Sequence, residues 1–210
     1  MRVGELSRRA GVSVPTIKYY VREGLLPAGQ LTSPNQASYD EAHVRRLRLI
    51  RALMDVGGLS VAGVREVIEA IEDTERPVHQ VLGAAADRVV PSHDGEPVAG
   101  VAAARTAVAE LIERRGWRSH PESPAAESLA VALATMEDVG HGGFAEVLDA
   151  YADAAEQVAR ADLDYVARNM AREELVESVV VGTVLGDALF ASLRRLAHVD
   201  ASDRVFGTDV

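Results

Sequence analysis

The sequence contains no cysteine. That excludes disulfides, thiolate metal sites, thiol redox switches and cysteine-ligated iron–sulfur clusters. Aromatic residues are scarce too, with three Phe, one Trp and five Tyr in 210 residues. From position 77 onward only Trp117, Phe144, Tyr151, Tyr165, Phe190 and Phe206 remain, a poor stock for an aromatic cage around a flat cation. No apolar run approaches the roughly 18 residues that cross a bilayer, and no signal-peptide h-region follows Met1, so a cytoplasmic location without membrane contact is expected. Also missing are Gly-x-Ser-x-Gly, a phosphate loop, a dinucleotide fingerprint and His-Glu-x-x-His. The expectation is therefore no enzyme and no cofactor. The six histidines, His43, His79, His93, His120, His141 and His198, offer no pair spaced as ligands on one helix face. His141 sits in a glycine turn and reads as a loop residue, so no metal site is expected.

Positive charge is short overall: 22 Lys/Arg stand against 32 Asp/Glu, for a net charge of −10. Its distribution is uneven. Residues 1–54 hold nine cations (Arg2, Arg8, Arg9, Lys18, Arg22, Arg45, Arg46, Arg48, Arg51) and only four acids (Glu5, Glu23, Asp40, Glu41). A basic head on an acidic body suits contact with a polyanion through one end, although a charged solvated face gives the same count. With 48% hydrophobic and 26% charged residues, the composition is that of a globular protein long enough for one small domain and a second of ordinary size.

Punctuation divides the chain. A short helix from Val3 to Ala10 stops at Gly11. Ser13 stands where an N-cap belongs and Pro15 lies in the first turn after it, which predicts a second helix to about Glu23, ended by Gly24. Leu25 to Ser38 is turn-rich, with Pro27, Gly29, Pro34 and Asn35, and has room for a two-stranded hairpin. Asp40 caps a third helix to about Val56 before Gly57-Gly58. Ser60 caps a fourth, with Val61, Val64, Ile68 and Ile71 at helical spacing. Residues 76–97 read as a linker or short helix between Pro77 and Pro97. Ala-rich helical patterns follow at about 98–115, 124–138, 143–169 and 171–198, and none alternates as a strand does. The expected fold is mainly all-α: an N-terminal winged helix-turn-helix over 1–75 with a small hairpin wing, and a helical bundle over 98–210 for dimerisation and effector sensing.

In the second helix, Ile17, Tyr20 and Val21 share one face and should anchor it. Thr16, Lys18, Tyr19 and Arg22 are left around the other side. A short hydroxyl, two cations and an aromatic with a polar tip are groups suited to phosphates and base edges. An ordinary amphipathic surface helix with incidental charge is the plainer alternative. The ordered set Val3-Gly4-Glu5-Leu6-Ser7, Gly11-Val12-Ser13, Thr16-Ile17-Lys18-Tyr19-Tyr20, Gly24-Leu25-Leu26-Pro27, Tyr39-Asp40 and Gly58-Leu59-Ser60 decides between them. Over about residues 2–72 the chain resembles the DNA-binding domain of the MerR family of bacterial regulators.

The resemblance implies a winged helix-turn-helix that binds pseudo-palindromic promoter DNA as a homodimer. It also implies action on RNA polymerase through the DNA, by twisting and bending an over-long promoter spacer. Ser13–Glu23 becomes the recognition helix and Leu26–Tyr39 the wing region. The implied DNA contacts are Ser13, Val14, Thr16, Lys18, Tyr19, Arg22, Asn35, Gln36, Tyr39 and Arg45. Lys18 stands where the family usually has arginine, which keeps the attraction to phosphate but loses the planar fork. Asn35-Gln36-Ala37-Ser38 stands where family wings usually carry arginine, so the wing offers amides rather than charge and its salt-dependent affinity should be lower. Arg45, Arg48 and Arg51 form a slanting basic stripe that either solvates the third helix or touches DNA, with Arg45 best placed.

Family dimers commonly form through one long helix after the DNA-binding domain. Here prolines interrupt that region, and two candidates stand open: residues 98–115, and residues 171–198, where Gly182 and Gly186 lie four apart. Metal sensing in the family relies on cysteines, which this chain lacks. A small organic effector, in an aliphatic pocket near Leu148, Tyr151 and Tyr165, is one reading of the helical half. A protein partner and a purely architectural DNA-binding role are the others.

Overall fold

The computed structural model describes residues 1–33, 36–73, 98–169 and 175–207. The expected linker over 76–97 and Asn35 lie outside the described residues. Helix α1 (Val3–Ala10) turns at Gly11 into α2 (Val14–Arg22), followed by strands β1 (Gln30–Ser33) and β2 (Gln36–Ser38). Then come α3 (Glu41–Arg51), a π-helical turn (Ala52–Val56) and α4 (Val61–Glu72). Beyond residue 98 lie α5 (Val101–Arg115), α6 (Pro124–Asp138), a 3-10 segment (Gly142–Val147), α7 (Leu148–Asn169) and α8 (Leu175–Phe206). The expected class, a mainly helical chain with one small hairpin, is the observed one.

The expected caps are present. The Ser13 hydroxyl accepts from the Thr16 amide at 3.2 Å, Asp40 accepts from the His43 amide at 3.2 Å, and Ser60 accepts from the Gly63 amide at 3.2 Å. Each satisfies a backbone donor that a helix start would otherwise leave open. The chain forms two compact units. One joins the first 73 residues to those from 180 onward; the other is made of residues 98–179.

In the first unit Leu6, Ile17, Tyr20, Leu25, Leu26, Val44, Leu47, Ile50, Leu53, Val64, Val67 and Ile68 are buried. These are the inward positions of α1 to α4, of the turn after α2 and of the π turn, so the core fixes how α2 and the hairpin are presented. The third helix does not run unbroken to Val56 as the apolar pattern suggests. It widens after Arg51 into a turn closed by the Gly57 amide on the Ala52 carbonyl at 3.1 Å, the five-residue spacing of a π turn. Gly57 then lies under α8. A Cβ built on it would collide with Val184 Cγ1 and stand 2.7 Å from the Leu53 carbonyl oxygen. Val184 is only 1% exposed. A Cβ on Gly182 or Gly186 meets nothing within 4 Å, so among the described residues the close helix approach falls at Gly57 and not at that pair.

In the second unit α5 packs on α6 through Val108, Ile112, Ala126 and Ala130, with Ala104, Trp117, Leu129 and Leu133 around them. Arg115 bonds Asp149 and Asp153 of α7, Arg114 also bonds Asp149, and the Trp117 indole donates to Glu156 at 2.9 Å. The bond to Asp153 and the further bond to Asp149 hold the Arg115 guanidinium above its ordinary pKa. Hydrogen bonds from Arg114 and Arg115 hold Asp149 below its own. Two boundaries differ from expectation. The segment expected to start a helix at 143 is 3-10 up to Val147, since Gly140, Gly142 and Gly143 favour other conformations. Helix α8 continues past His198 to Phe206, because no breaker precedes Gly207 and Arg204 pairs with Asp200 one turn back at 2.8 Å.

Candidate nucleic-acid interface

Ile17 and Tyr20 turn inward and are buried, and Val21 is half-buried, so α2 presents its remaining side chains outward. The Tyr20 hydroxyl reaches Met54 Sδ at 3.5 Å; burial first, and then the Asp55 charge, push its pKa up. It is therefore an anchor rather than a contact. On the outer side Lys18 and Arg22 are exposed, while Thr16 and Tyr19 are half-buried. The Arg22 guanidinium lies 5.2 Å from the centre of the Tyr19 ring, a cation–π spacing, and 3.6 Å from Glu23. These two contacts restrain both side chains before any ligand arrives. Ser13 and Thr16 hydroxyls lie 2.7 Å apart, so the cap and the first outward hydroxyl form one unit beside half-buried Val14.

Strands β1 and β2 pair antiparallel with Gln30 opposite Ser38, Leu31 opposite Ala37 and Ser33 opposite Gln36. Gln36 is exposed at the start of the return strand. Leu31, 79% exposed, projects from the wing, an apolar side chain that sequence reasoning did not single out. Tyr39 closes the hairpin. Its ring lies edge-on to His43 at 5.1 Å between centres. On the other side it packs over Gly29, where a Cβ would sit 2.9 Å from ring carbons and 2.8 Å from the Ser38 carbonyl oxygen. Only glycine admits the ring so close. Asp40, hydrogen-bonded by the His43 ring and then by its amide, is held below the ordinary carboxylate pKa.

Most arginines of the basic head work within the fold. Arg9 makes a two-pronged bond to Glu41, and Arg48 donates to the Arg9 carbonyl at 3.4 Å. Arg51 reaches Asp55 at 3.1 Å and the Gly11 carbonyl at 3.3 Å. Of the stripe on α3, Arg48 and Arg51 therefore fasten α3 to the helix-turn-helix, and Arg45 is exposed with no ion pair among the described residues. Arg46 donates to the Leu25 carbonyl at 2.9 Å and to Glu72 at 2.7 Å. Arg65, which sequence reasoning passed over, donates to the Glu23 carbonyl at 3.1 Å and to its carboxylate at 3.3 Å. Arg46 and Arg65 thus lock the turn after α2 from two other helices. No local pattern announces such long-range partners.

In the helical half Tyr151 and Tyr165 are 43% and 57% exposed. Among the described residues no group of His, Asp and Glu is arranged to hold a metal ion. No described helix is long and apolar enough to cross a membrane.

Residues 1–71 match the family model described as MerR HTH family regulatory protein. Over full length the chain is 40% identical to SCO5550 of Streptomyces coelicolor A3(2), whose crystal structure is described as that of a transcriptional regulator. The match covers 100% of both chains with a TM-score of 0.73. Nodulation protein NolA of Bradyrhizobium elkanii is 38% identical over 68 residues, 32% of this chain and 31% of that protein. The HTH-type transcriptional regulator HmrR of Sinorhizobium medicae (strain WSM419) is 32% identical over 89 residues, 42% of this chain and 60% of that protein. The chain thus spans less than two thirds of these two curated relatives. With the head matched by the family model and the full length by SCO5550, the chain belongs to the MerR family of helix-turn-helix regulatory proteins, which are regulators and not enzymes.

Proposed function

We propose that this protein is a transcription regulator that binds promoter DNA as a homodimer through α2 and the wing. The observation that carries the reading is the outer side of α2. Lys18 has no protein partner among the described residues, Tyr19 and Arg22 brace each other, and their backbone is locked at its far end by Arg46 and Arg65. A rigid element bearing an unpaired cation is what a groove-entering helix requires. In this reading Thr16, Lys18, Tyr19 and Arg22 meet the groove and its phosphates, with Ser13 and Val14 at the leading end. Gln36, Tyr39 and Arg45, together with Asn35, touch the backbone. Residues 1–75 serve DNA, and residues 98–210 serve dimerisation and sensing of a small organic molecule. The outcome reaches RNA polymerase through distortion of the promoter spacer.

Between the two dimerisation segments the burial pattern favours α8. Helix α5 commits Val108 and Ile112 to its own pairing with α6. Helix α8 leaves Leu189, Leu193, Leu196, Val199 and Phe206 exposed along one side, Leu196 by 68%. Steps of four, three, three and seven residues make such a stripe a helix-pairing seam.

The test is a fluorescence-anisotropy titration of a duplex carrying the region upstream of the protein's own coding sequence, against a scrambled duplex. Preference for the former, weakened about tenfold or more by Lys18→Ala and by Tyr19→Ala, is expected. Wild-type affinity in both variants would remove α2 from the interface.

A further inference from the structure

Three parts of the head meet where α1 begins. Arg2 and Val3, Lys18 of α2, and Gln36, Ala37 and Tyr39 of the returning wing line a single cleft of about 330 Å³. The backbones of Met1 and Tyr39 bond each other in both directions, at 2.6 and 2.8 Å. This pins Arg2 beside the end of the wing. Among the described residues no carboxylate lines the cleft, and neither the Arg2 nor the Lys18 side chain pairs with any of them. Elsewhere in the head four arginines are matched to acids, Arg9 to Glu41, Arg46 to Glu72, Arg51 to Asp55 and Arg65 to Glu23, whereas the exposed Arg45 stands alone on α3, away from this cleft. Two unmatched cations in one cleft set up a positive potential that an anionic oxygen relieves. The Gln36 carboxamide and the Tyr39 phenol add neutral donors on the same wall.

We infer that this cleft seats one backbone phosphate of bound DNA and that Arg2, ahead of the first helix, is a phosphate-positioning residue. The inference rests on the DNA-binding reading above and extends it to a residue outside both α2 and the wing. Phosphate contacts fix register without reading bases. Arg2 and Lys18 therefore hold the strand from two sides while Thr16 and Tyr19 meet the groove. The arrangement also supplies, from the chain's first residues, the positive charge that the wing itself lacks between Gln36 and Ser38.

The experiment measures DNA affinity across a chloride series for the wild type, Arg2→Gln, Arg2→Lys and Arg118→Gln, with melting by circular dichroism as the folding check. Arg118 is an exposed cation on the loop after α5 and corrects for the simple loss of one charge. Arg2→Gln is expected to weaken upstream and scrambled duplexes alike, by about five- to tenfold. It should also flatten the slope of log affinity on log salt by about one per bound subunit. Arg2→Lys should restore the slope, and Arg118→Gln should keep it. An unchanged slope in Arg2→Gln, with the wild type binding DNA, would overturn the inference and leave the DNA-binding reading standing. A wild type that binds neither duplex would overturn both. Inorganic phosphate replacing chloride at equal ionic strength separates a free anion from a DNA phosphate. Equal competition by the two salts is expected, and selective displacement of DNA by phosphate would assign the cleft to a free ligand instead.

Discussion

Replacing Gly57 with alanine adds one methyl group where Val184 of α8 sits closely on the π turn. Its backbone is ordinary, with φ −75° and ψ −12°, so the substitution carries no conformational strain of its own. It should even regain about 0.5–1 kcal/mol by narrowing the unfolded ensemble. Against that, the new Cβ would overlap Val184 Cγ1 and stand 2.7 Å from the Leu53 carbonyl oxygen. Rotation of Val184 can relieve the first contact. The second is with main chain and yields only if the π turn shifts. Overpacking of this kind costs about 1–3 kcal/mol, which leaves a net loss centred on about 1 kcal/mol. Val184→Ala alone empties a buried site and costs about 1–2 kcal/mol by lost burial. The double variant relieves the overlap and should fall short of the sum of the single effects by about 0.5–1 kcal/mol. Urea denaturation followed by circular dichroism reads all four proteins, with the midpoint moving and the slope constant. A Gly57→Ala protein as stable as the wild type, or strictly additive losses, would refute the packing of α8 against the π turn.

Three further outcomes are expected. Ser13→Ala removes the cap of α2 and should destabilise the protein by about 1 kcal/mol in the same urea assay, with a loss of DNA affinity that Ser13→Asn largely avoids. Asp40 has a pKa depressed by its bond to His43, so its contribution is complete above the ordinary carboxylate value and disappears as pH falls through the depressed one. Asp40→Asn, which still caps α3, should therefore lose stability less steeply than the wild type on acidification through that window, read as the urea midpoint against pH. Leu193→Glu with Leu196→Glu on α8 should shift sedimentation equilibrium at micromolar protein from dimer to monomer while the helical signal persists. A dimer of unchanged strength would move the interface elsewhere.

Much of this was legible in local chemistry. Ser13, Asp40 and Ser60 each precede an apolar helical stripe, and each caps as its side chain dictates. Gly11 and Gly24, both at positive φ, mark where α1 and α2 must end. The outward set Thr16, Lys18, Tyr19 and Arg22 follows from the same periodicity once Ile17 and Tyr20 are inside. What the chain does not announce is which charges are already taken. The bonds from Arg46 to Leu25 and from Arg65 to Glu23 span 21 and 42 positions. Only the packing of α3 and α4 brings those partners together. The stripe of Arg45, Arg48 and Arg51 looked uniform by spacing, yet two of its members end on carbonyls of α1 and the turn after it. Arg2 counts toward the basic head but precedes every helix, so no helical spacing sets it beside Lys18; the pairing of Met1 with Tyr39 does. The π turn escaped for a similar reason: Leu53 suits an α-helix as well as the wider turn that buries it.

The seating of Val184 over Gly57 has a consequence in time. The two residues are roughly 130 positions apart, and a ribosome adding about 5–20 residues per second needs roughly 6–25 s to travel between them. Helices α1 to α4 emerge early and carry short-range contacts, so they can close long before α8 exists. During that interval the apolar floor around Leu53 and Gly57 lacks the side chain that covers it. A nascent head is therefore a partly finished body with one sticky opening, a natural point of engagement for a holding chaperone. A truncated chain ending before α8 would keep that opening for good.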